Sequence, residues 1–273
     1  MEHETMKHAG HFKDKVVWIT GASSGIGEAL AYKLSSSGTN LALSSNEPER
    51  LEEVRDKCTN KASHMVLPLD LSECDALASK AEEVLRRFSR VDILVNNGGI
   101  SHRSMAKDTV LEVDKRVMDI DYFGHIALTK AVLPSMLERK SGHIVVTTSL
   151  AGLIPVPYRT AYCAAKHALH GFFDTLRVEV WDDNIKVTLV CPAQVRTDIS
   201  FQALAGDGDK YGKMDPLIEA GMSPEECADA IIKAIVQGKQ QVLVGKGKPI
   251  IGTYVKRISP ALFTRLVRKA QVI

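Results

Sequence analysis

Tyr162 and Lys166 stand one helical turn apart in "TAYCAAKHAL" and could serve as a proton donor and the charge that tunes it. A free phenol has a pKa near ~10, too high for efficient proton exchange at neutral pH. An ammonium on the same helix face favours phenolate and brings that value down. Ser149, thirteen residues before Tyr162 at the end of "HIVVTTS", adds a hydroxyl that could bond a substrate oxygen and stabilise the charge developing on it. The spacing alone is weak, because the chain has six tyrosines. A buried Tyr, a strand-end Ser and a surface Lys would look the same.

A second feature decides between these readings. "VVWITGASSGIGEAL" places Gly21, Gly25 and Gly27 between a predicted strand and a predicted helix. Glycines there permit a tight turn and let the backbone approach a pyrophosphate, whose charge the helix N-terminus favours through free N–H groups. A nucleotide bound there makes a proton-transfer role for Tyr162 the stronger reading.

The elements that must position these residues are legible as alternation. "KVVWIT", "NLALSS", "HMVLPL", "VDILVN", "HIVVTTS", "IKVTLV" and "QVLVG" read as strands. "GIGEALAYKLSSSG", "PERLEEVRDKC", "ECDALASKAEEVLRRF" and "HIALTKAVLPSMLER" read as helices between them. The expected fold is α/β, a Rossmann-like doubly wound, mostly parallel seven-stranded sheet with helices on both faces. Residues 1–13 are expected as a flexible tail and 14–273 as a single domain. The non-periodic stretch 194–222 is expected as a substrate-binding loop, with Ile199, Phe201, Leu204, Tyr211 and Met214 on its inner face and Pro155 and Pro157 shaping the opposite wall.

The Thr-Gly-x-x-x-Gly-x-Gly spacing resembles that of the short-chain dehydrogenases/reductases, and the likeness runs along nearly the whole chain. Asp70 stands where that family meets the adenine. "VNNGG" resembles its Asn-Asn-Ala-Gly turn, with Gly98 for Ala, and "CPAQVRT" its Pro-Gly-x-x-x-Thr stretch, with Ala193 for Gly. The resemblance implies catalysis by Ser149, Tyr162 and Lys166, with Lys166 also holding the nicotinamide ribose. It implies cofactor contacts from Gly21, Ser23, Ser24, Gly25, Ile26, Gly27, Ser45, Asn46, Asp70, Leu71, Asn97, Gly98, Tyr162, Lys166, Pro192, Val195 and Thr197, Thr197 lying near the carboxamide and pyrophosphate. "FQALAGDGDKYGKMD" followed by "SPEECADAI" is similar to the group of dehydrogenase/reductase members 7 and 7B. That group carries an N-terminal membrane anchor, and this chain is expected to lack it.

One departure touches the mechanism. Where the family commonly has an Asn that holds a relay water, "MDIDYFGH" supplies Asp121. A carboxylate accepts but does not donate, and its charge could hold Lys166 as ammonium, shifting the pH profile. Asp121 is therefore a fourth candidate catalytic residue.

An acid ending the second strand would select NAD, and an Arg there NADP. "LALSSNEPERL" has Ser45 and Asn46 at the deciding positions, with Ser24 in the turn; these can donate to a phosphate, so NADP(H) is expected over NAD(H), with Glu47 opposing.

Composition narrows the partners. Thirty-five Lys and Arg against 33 Asp and Glu, with no long basic run, argue against nucleic acid. Five cysteines without Cys-x-x-Cys and no His cluster at ligand spacing argue for free thiols, no metal and a cytoplasmic setting, and His3, His8 and His11 belong to a solvated terminus. No window is long and apolar enough to span a bilayer. The basic, apolar "YVKRISPALFTRLVRKAQVI" could rest weakly on a membrane surface or pack beside the pocket, and packing is expected. An apolar ketone, aldehyde or secondary alcohol (steroid-, retinoid- or lipid-like) is the expected substrate, and a homodimer or homotetramer, through helices near 104–138 and 158–181, is what the resemblance implies. The alternatives are an epimerase or dehydratase on the same fold, or a catalytically silent nucleotide sensor.

Overall fold

The computed structural model describes residues 10–269. Seven strands form one sheet: β1 (Val16–Thr20), β2 (Asn40–Ser44), β3 (Met65–Val66), β4 (Ile93–Asn96), β5 (Gly142–Thr147), β6 (Ile185–Pro192) and β7 (Gln241–Val244). The spatial order is β3-β2-β1-β4-β5-β6-β7, and every pairing is parallel.

Alternation along each strand explains why both faces need helices. Val17 and Ile19 of β1, Leu41 and Leu43 of β2, and Ile93 and Val95 of β4 enter one core. Trp18, Ala42 and Leu94 point to the opposite core. Successive strand side chains face opposite ways, so runs that are apolar at every position demand cover on both sides. The first face is covered by α1 (Gly25–Ser35), α2 (Pro48–Lys57) and α8 (Pro224–Gln237). The second is covered by α3 (Leu77–Phe88), α5 (Gly124–Arg139) and α6 (Thr160–Glu179).

Between α3 and α5 lies α4 (Leu111–Met118), which runs into α5 through a wide π turn, Asp119–Phe123. After β6 come the short α7 (Pro216–Glu219) and, beyond β7, α9 (Lys248–Ile258) and α10 (Pro260–Lys269).

All seven expected strands form, and β3 is shorter than "HMVLPL". Pro68 has no N–H to give, so the edge strand stops early, though Leu67 and Leu69 still donate to Leu43 and Ser45. Phe12 lies fully buried in the first core, so ordered chain reaches into the stretch expected as a tail. The rest of that tail, residues 1–9 with His3 and His8, lies outside the described residues, as do residues 270–273.

The chain builds outward through β2 and β3, then crosses to the other side of β1 to place β4. The reversal leaves a crevice at the carboxyl ends of β1 and β4, where open α/β sheets bind ligands.

Candidate active site

The crevice begins at the β1–α1 turn. Gly21 and Gly25 have φ of 62° and 57°, left-handed values that other residues adopt at a cost. A Cβ on Gly27 would lie 2.1 Å from the Gly21 carbonyl oxygen, so only glycine lets the helix start this close to the turn. Ser24 makes no side-chain cap, which leaves the first N–H groups of α1 for an anion. A nucleotide pyrophosphate fits this cradle.

The β4 turn is bolted to the β1 turn. The N–H groups of Asn97 and Gly98 donate to Thr20 Oγ1 at 2.9 and 3.0 Å, and Asn97 Nδ2 donates to the Thr20 carbonyl at 3.1 Å. From beneath, His125 Nε2 donates to the Gly98 carbonyl at 2.7 Å; burial, with Lys166 adding, pushes this histidine down to about 3, so it stays neutral. Sequence reasoning missed Thr20, although "WITG" adjoins the glycine turn, and His125, which lies on α5 and has no local signal linking it to the β4 turn.

The wide turn between α4 and α5 carries Asp121 inward, fully buried. Asp121 Oδ1 accepts the Ile100 N–H at 2.7 Å, and Oδ2 lies 3.1 Å from Lys166 Nζ. A Cβ on Gly99 would come within 3.1 Å of this carboxylate, so the glycine makes room for it. Lys166 also donates to the Thr147 carbonyl at 3.4 Å, and its Nζ lies 5.5 Å from the Tyr162 ring centroid. Burial by itself would lower Lys166; the Asp121 anion, with Tyr162 adding, reverses this and leaves it above the ordinary lysine value. Burial pushes the Asp121 carboxyl up, with Lys166 and the Ile100 N–H pulling it back. The surrounding bonds suit the ionised pair: an N–H is given to the carboxylate and a carbonyl accepts from the ammonium.

Ser149 follows β5 in extended backbone, and its Oγ accepts the Ala151 N–H at 3.1 Å. Tyr162 and Lys166, on the first two turns of α6, are both buried. All of the candidate site residues except Gly27 line a single cleft of about 570 Å³, in which Thr197 stands against the glycine turn at Gly25. Gly27 acts from beneath, by letting the turn close.

At the β2 end, Glu47 Oε2 accepts from Ser23 Oγ at 2.9 Å, and Arg50 Nη1 lies 3.8 Å from Glu47 Oε1. Arg50 also lines the cleft and was not anticipated. It sits on the first turn of α2, three residues beyond Glu47, a spacing that puts both on one helix face. Asp70 turns its Oδ1 to the N–H and hydroxyl of Ser72, at 2.8 and 2.7 Å.

The segment 194–222 is fastened at several points. Val195 bridges to Met222, and Leu204 exchanges backbone bonds with Ser101 and Arg103. The buried Asp215 pairs with Arg103 and Arg159, the latter at 2.8 Å, while its Oδ1 caps α7 at the Leu217 N–H. The inner face differs from expectation: Ile199 and Leu204 line the cleft, but Phe201, Tyr211 and Met214 do not, and Asp198, Gln202 and Lys210 do. The bridges at Leu204 fold the segment so that polar residues also face inward. On the opposite wall Ile154 and Val156 line the cleft rather than Pro155 and Pro157, the alternation of an extended stretch.

Among the described residues no cluster of three or more His, Cys, Asp or Glu could hold a metal ion.

Comparison with known proteins shows the family and agrees with the fold. A family model described as short chain dehydrogenase matches residues 15–207. The chain is 42% identical over 269 residues to a dehydrogenase/reductase SDR family protein 7-like from Anopheles gambiae, covering 96% of this chain and 85% of the relative. A short-chain dehydrogenase from Streptomyces avermitilis superposes with a TM-score of 0.81 at 27% identity, covering 94% of this chain and 98% of that one. An alcohol dehydrogenase from Thermococcus sibiricus complexed with 5-hydroxy-NADP has a TM-score of 0.73 at 26% identity, covering 85% and 97%.

Proposed function

The chain belongs to the short-chain dehydrogenase family, nicotinamide-dependent oxidoreductases on a Rossmann fold, and from that premise we propose an NADP(H)-preferring enzyme that interconverts an apolar carbonyl and its secondary alcohol. The observation that carries this reading is the convergence of Ser149, Tyr162 and Lys166 on the cleft that also holds the glycine turn.

When bound, a nicotinamide cofactor would supply or take the hydride. The protein's residues do the rest. Tyr162 gives its phenolic proton to the substrate oxygen in reduction and takes it back in oxidation. Ser149 donates to the same oxygen and stabilises its developing charge. Lys166 would hold the ribose hydroxyls of the cofactor and, as an ammonium beside Tyr162, favours the phenolate. Asp121 is a positioning residue: it keeps Lys166 charged and ties it to the backbone of Ile100. Leu150, Ile154, Val156, Ile199, Leu204 and Ile218 enclose the substrate body and keep water from the reacting atoms.

For the adenosine end, Ser45, Asn46 and Arg50 are donors suited to a 2′-phosphate, while Glu47, engaged by Ser23, opposes it. Exposed Leu111 and Val178, on α4 and α6, support a homo-oligomer formed through these helices.

The test is a panel of ketones and aldehydes with NADPH and NADH, followed by loss of cofactor absorbance and repeated with Tyr162→Phe. Loss of the acid should lower kcat by about 10²–10⁴ with cofactor binding retained. Undiminished turnover in the variant would overturn the mechanism, and a higher kcat/KM with NADH would overturn the cofactor preference.

A further inference from the structure

The C-terminal helices present large apolar side chains on the surface, among exposed Lys and Arg residues. A water-facing helix of this protein such as α3 buries Leu77, Ala81 and Val84 and leaves its charges outside. In α9 the outward residues include Ile251, Tyr254 and Ile258, spaced to share one helix face, with Ile258 85% exposed and Arg257 exposed beside it. The inward side is already taken: Lys256 Nζ donates to the Leu153 carbonyl at 2.6 Å, and Gly252 lies against Phe263 and Ile154. In α10, Phe263 is buried while Leu262 and Leu266, four residues apart, face out. The segment therefore packs beside the cleft, as its sequence suggested, and still leaves five large apolar side chains in the open. Patches of this kind mark interaction sites.

Charge identifies what the patch meets. Residues 245–273 carry seven Lys and Arg and no Asp or Glu, whereas residues 1–244 carry 28 against 33. Lys and Arg thus outnumber Asp and Glu by seven in the segment that carries this exposed apolar surface, and are outnumbered by five in the rest of the chain. A second copy of the same face would be repelled, and an anionic surface attracted.

We propose that α9 and α10 form a docking face that seats this protein on an anionic lipid surface, with apolar side chains in the acyl boundary and the Lys and Arg residues at the headgroups. No helix among the described residues is long and apolar enough to cross a membrane, so the attachment is one-sided. The face adjoins the cleft: Pro249, on the first turn of α9, lines it, and so does Ile154 beneath Gly252. Resting on the function proposed above, this gives an apolar substrate a route from the bilayer into the site.

The experiment is flotation of the full chain with vesicles of phosphatidylcholine alone and of phosphatidylcholine and phosphatidylserine in a two-to-one ratio. The protein is expected to float with the phosphatidylserine vesicles and to stay behind with the neutral ones. Neutralising three charges in Arg265→Gln/Arg268→Gln/Lys269→Gln should lower partitioning on the order of a hundredfold, about fivefold for each charge. Ile258→Glu/Leu262→Glu/Leu266→Glu should abolish flotation. These six side chains lie outside the cleft, so thermal midpoint and turnover of a water-soluble carbonyl should match the parent. If the Glu variant does not fold, the Gln variant decides alone. Absence of flotation, flotation of the variants equal to the parent, or a stable dimer in lipid-free sedimentation that the Glu variant dissociates would each overturn the proposal. Flotation needs no turnover, so its failure is distinct from failure of the enzymatic reading.

Discussion

Replacing Asp121 by Asn, the residue the family commonly has, tests the buried pair most directly. At 3.1 Å and an effective dielectric constant of about 20, the Asp121–Lys166 attraction is about 5 kcal/mol. Removing the carboxylate leaves an ammonium that is only 5% exposed and has lost its anion. Breaking such a pair typically costs about 3–5 kcal/mol. The loss has a ceiling, because Lys166 can release its proton. Starting from an ordinary pKa of about 10.4, neutralising it at pH 7 costs at most about 5 kcal/mol, and at pH 9 about 2 kcal/mol.

The sign follows from linkage. In the parent, Lys166 is raised above its unfolded value, so its contribution is fully present at neutral pH and disappears only as pH rises through the folded value. In Asp121→Asn, burial without the anion lowers Lys166; the unfolded state then binds more protons, and the variant gains stability as pH rises. Urea and thermal unfolding followed by circular dichroism should show a deficit at pH 7 of about 3–5 kcal/mol, or ~10 °C in Tm, that narrows by pH 9. In alcohol oxidation the alkaline rise in rate should move to higher pH, since the ammonium that favours phenolate is less well held. A deficit that is absent at pH 7, or that stays constant or widens toward pH 9, would refute the reasoning.

Gly27→Ala should abolish nucleotide binding, measured by fluorescence titration with NADPH, because the new Cβ meets a backbone oxygen at 2.1 Å and neither partner can move without opening the turn. Gly98→Ala should retain binding, since the one severe contact of its Cβ, 2.7 Å, is with the end of the Leu71 side chain, which can turn away, and the Gly21 nitrogen lies at 3.3 Å. Arg50→Ala should lower and Glu47→Gln should raise the ratio of kcat/KM for NADPH over NADH, each by about tenfold, the value of one charge-assisted contact. Asp215→Asn leaves Arg103 and Arg159 without their shared anion; it should cost about 3–5 kcal/mol in urea unfolding and raise substrate KM more than it lowers kcat.

The strands and helices were legible because their signals are local. A run such as "VVWIT", apolar at every position, already states that both faces of the strand are buried, and Pro48 and Gly21 mark a helix start and a tight turn within a few residues. Tyr162, Lys166 and Ser149 were legible only with the glycine turn and the family resemblance set beside a spacing that is weak alone. Even Asp121 was singled out as a substitution at a known place in the family pattern.

What sequence could not decide depends on residues far apart in the chain. Whether Asp121 reaches Lys166 rests on a wide turn that rotates it inward and on Gly99 leaving room, contacts across 45 positions. The inner face of segment 194–222 rests on where Leu204 pairs with the chain near Ser101 and on Asp215 bridging Arg103 and Arg159. Hydrophobicity along such a segment has no period to read, so Phe201 and Met214 looked as suited to the cleft as Ile199. Local chemistry determined the glycine turn and the layers of this protein and nominated Ser149, Tyr162 and Lys166; long-range packing decided which charges meet inside it and which apolar side chains stay on its surface.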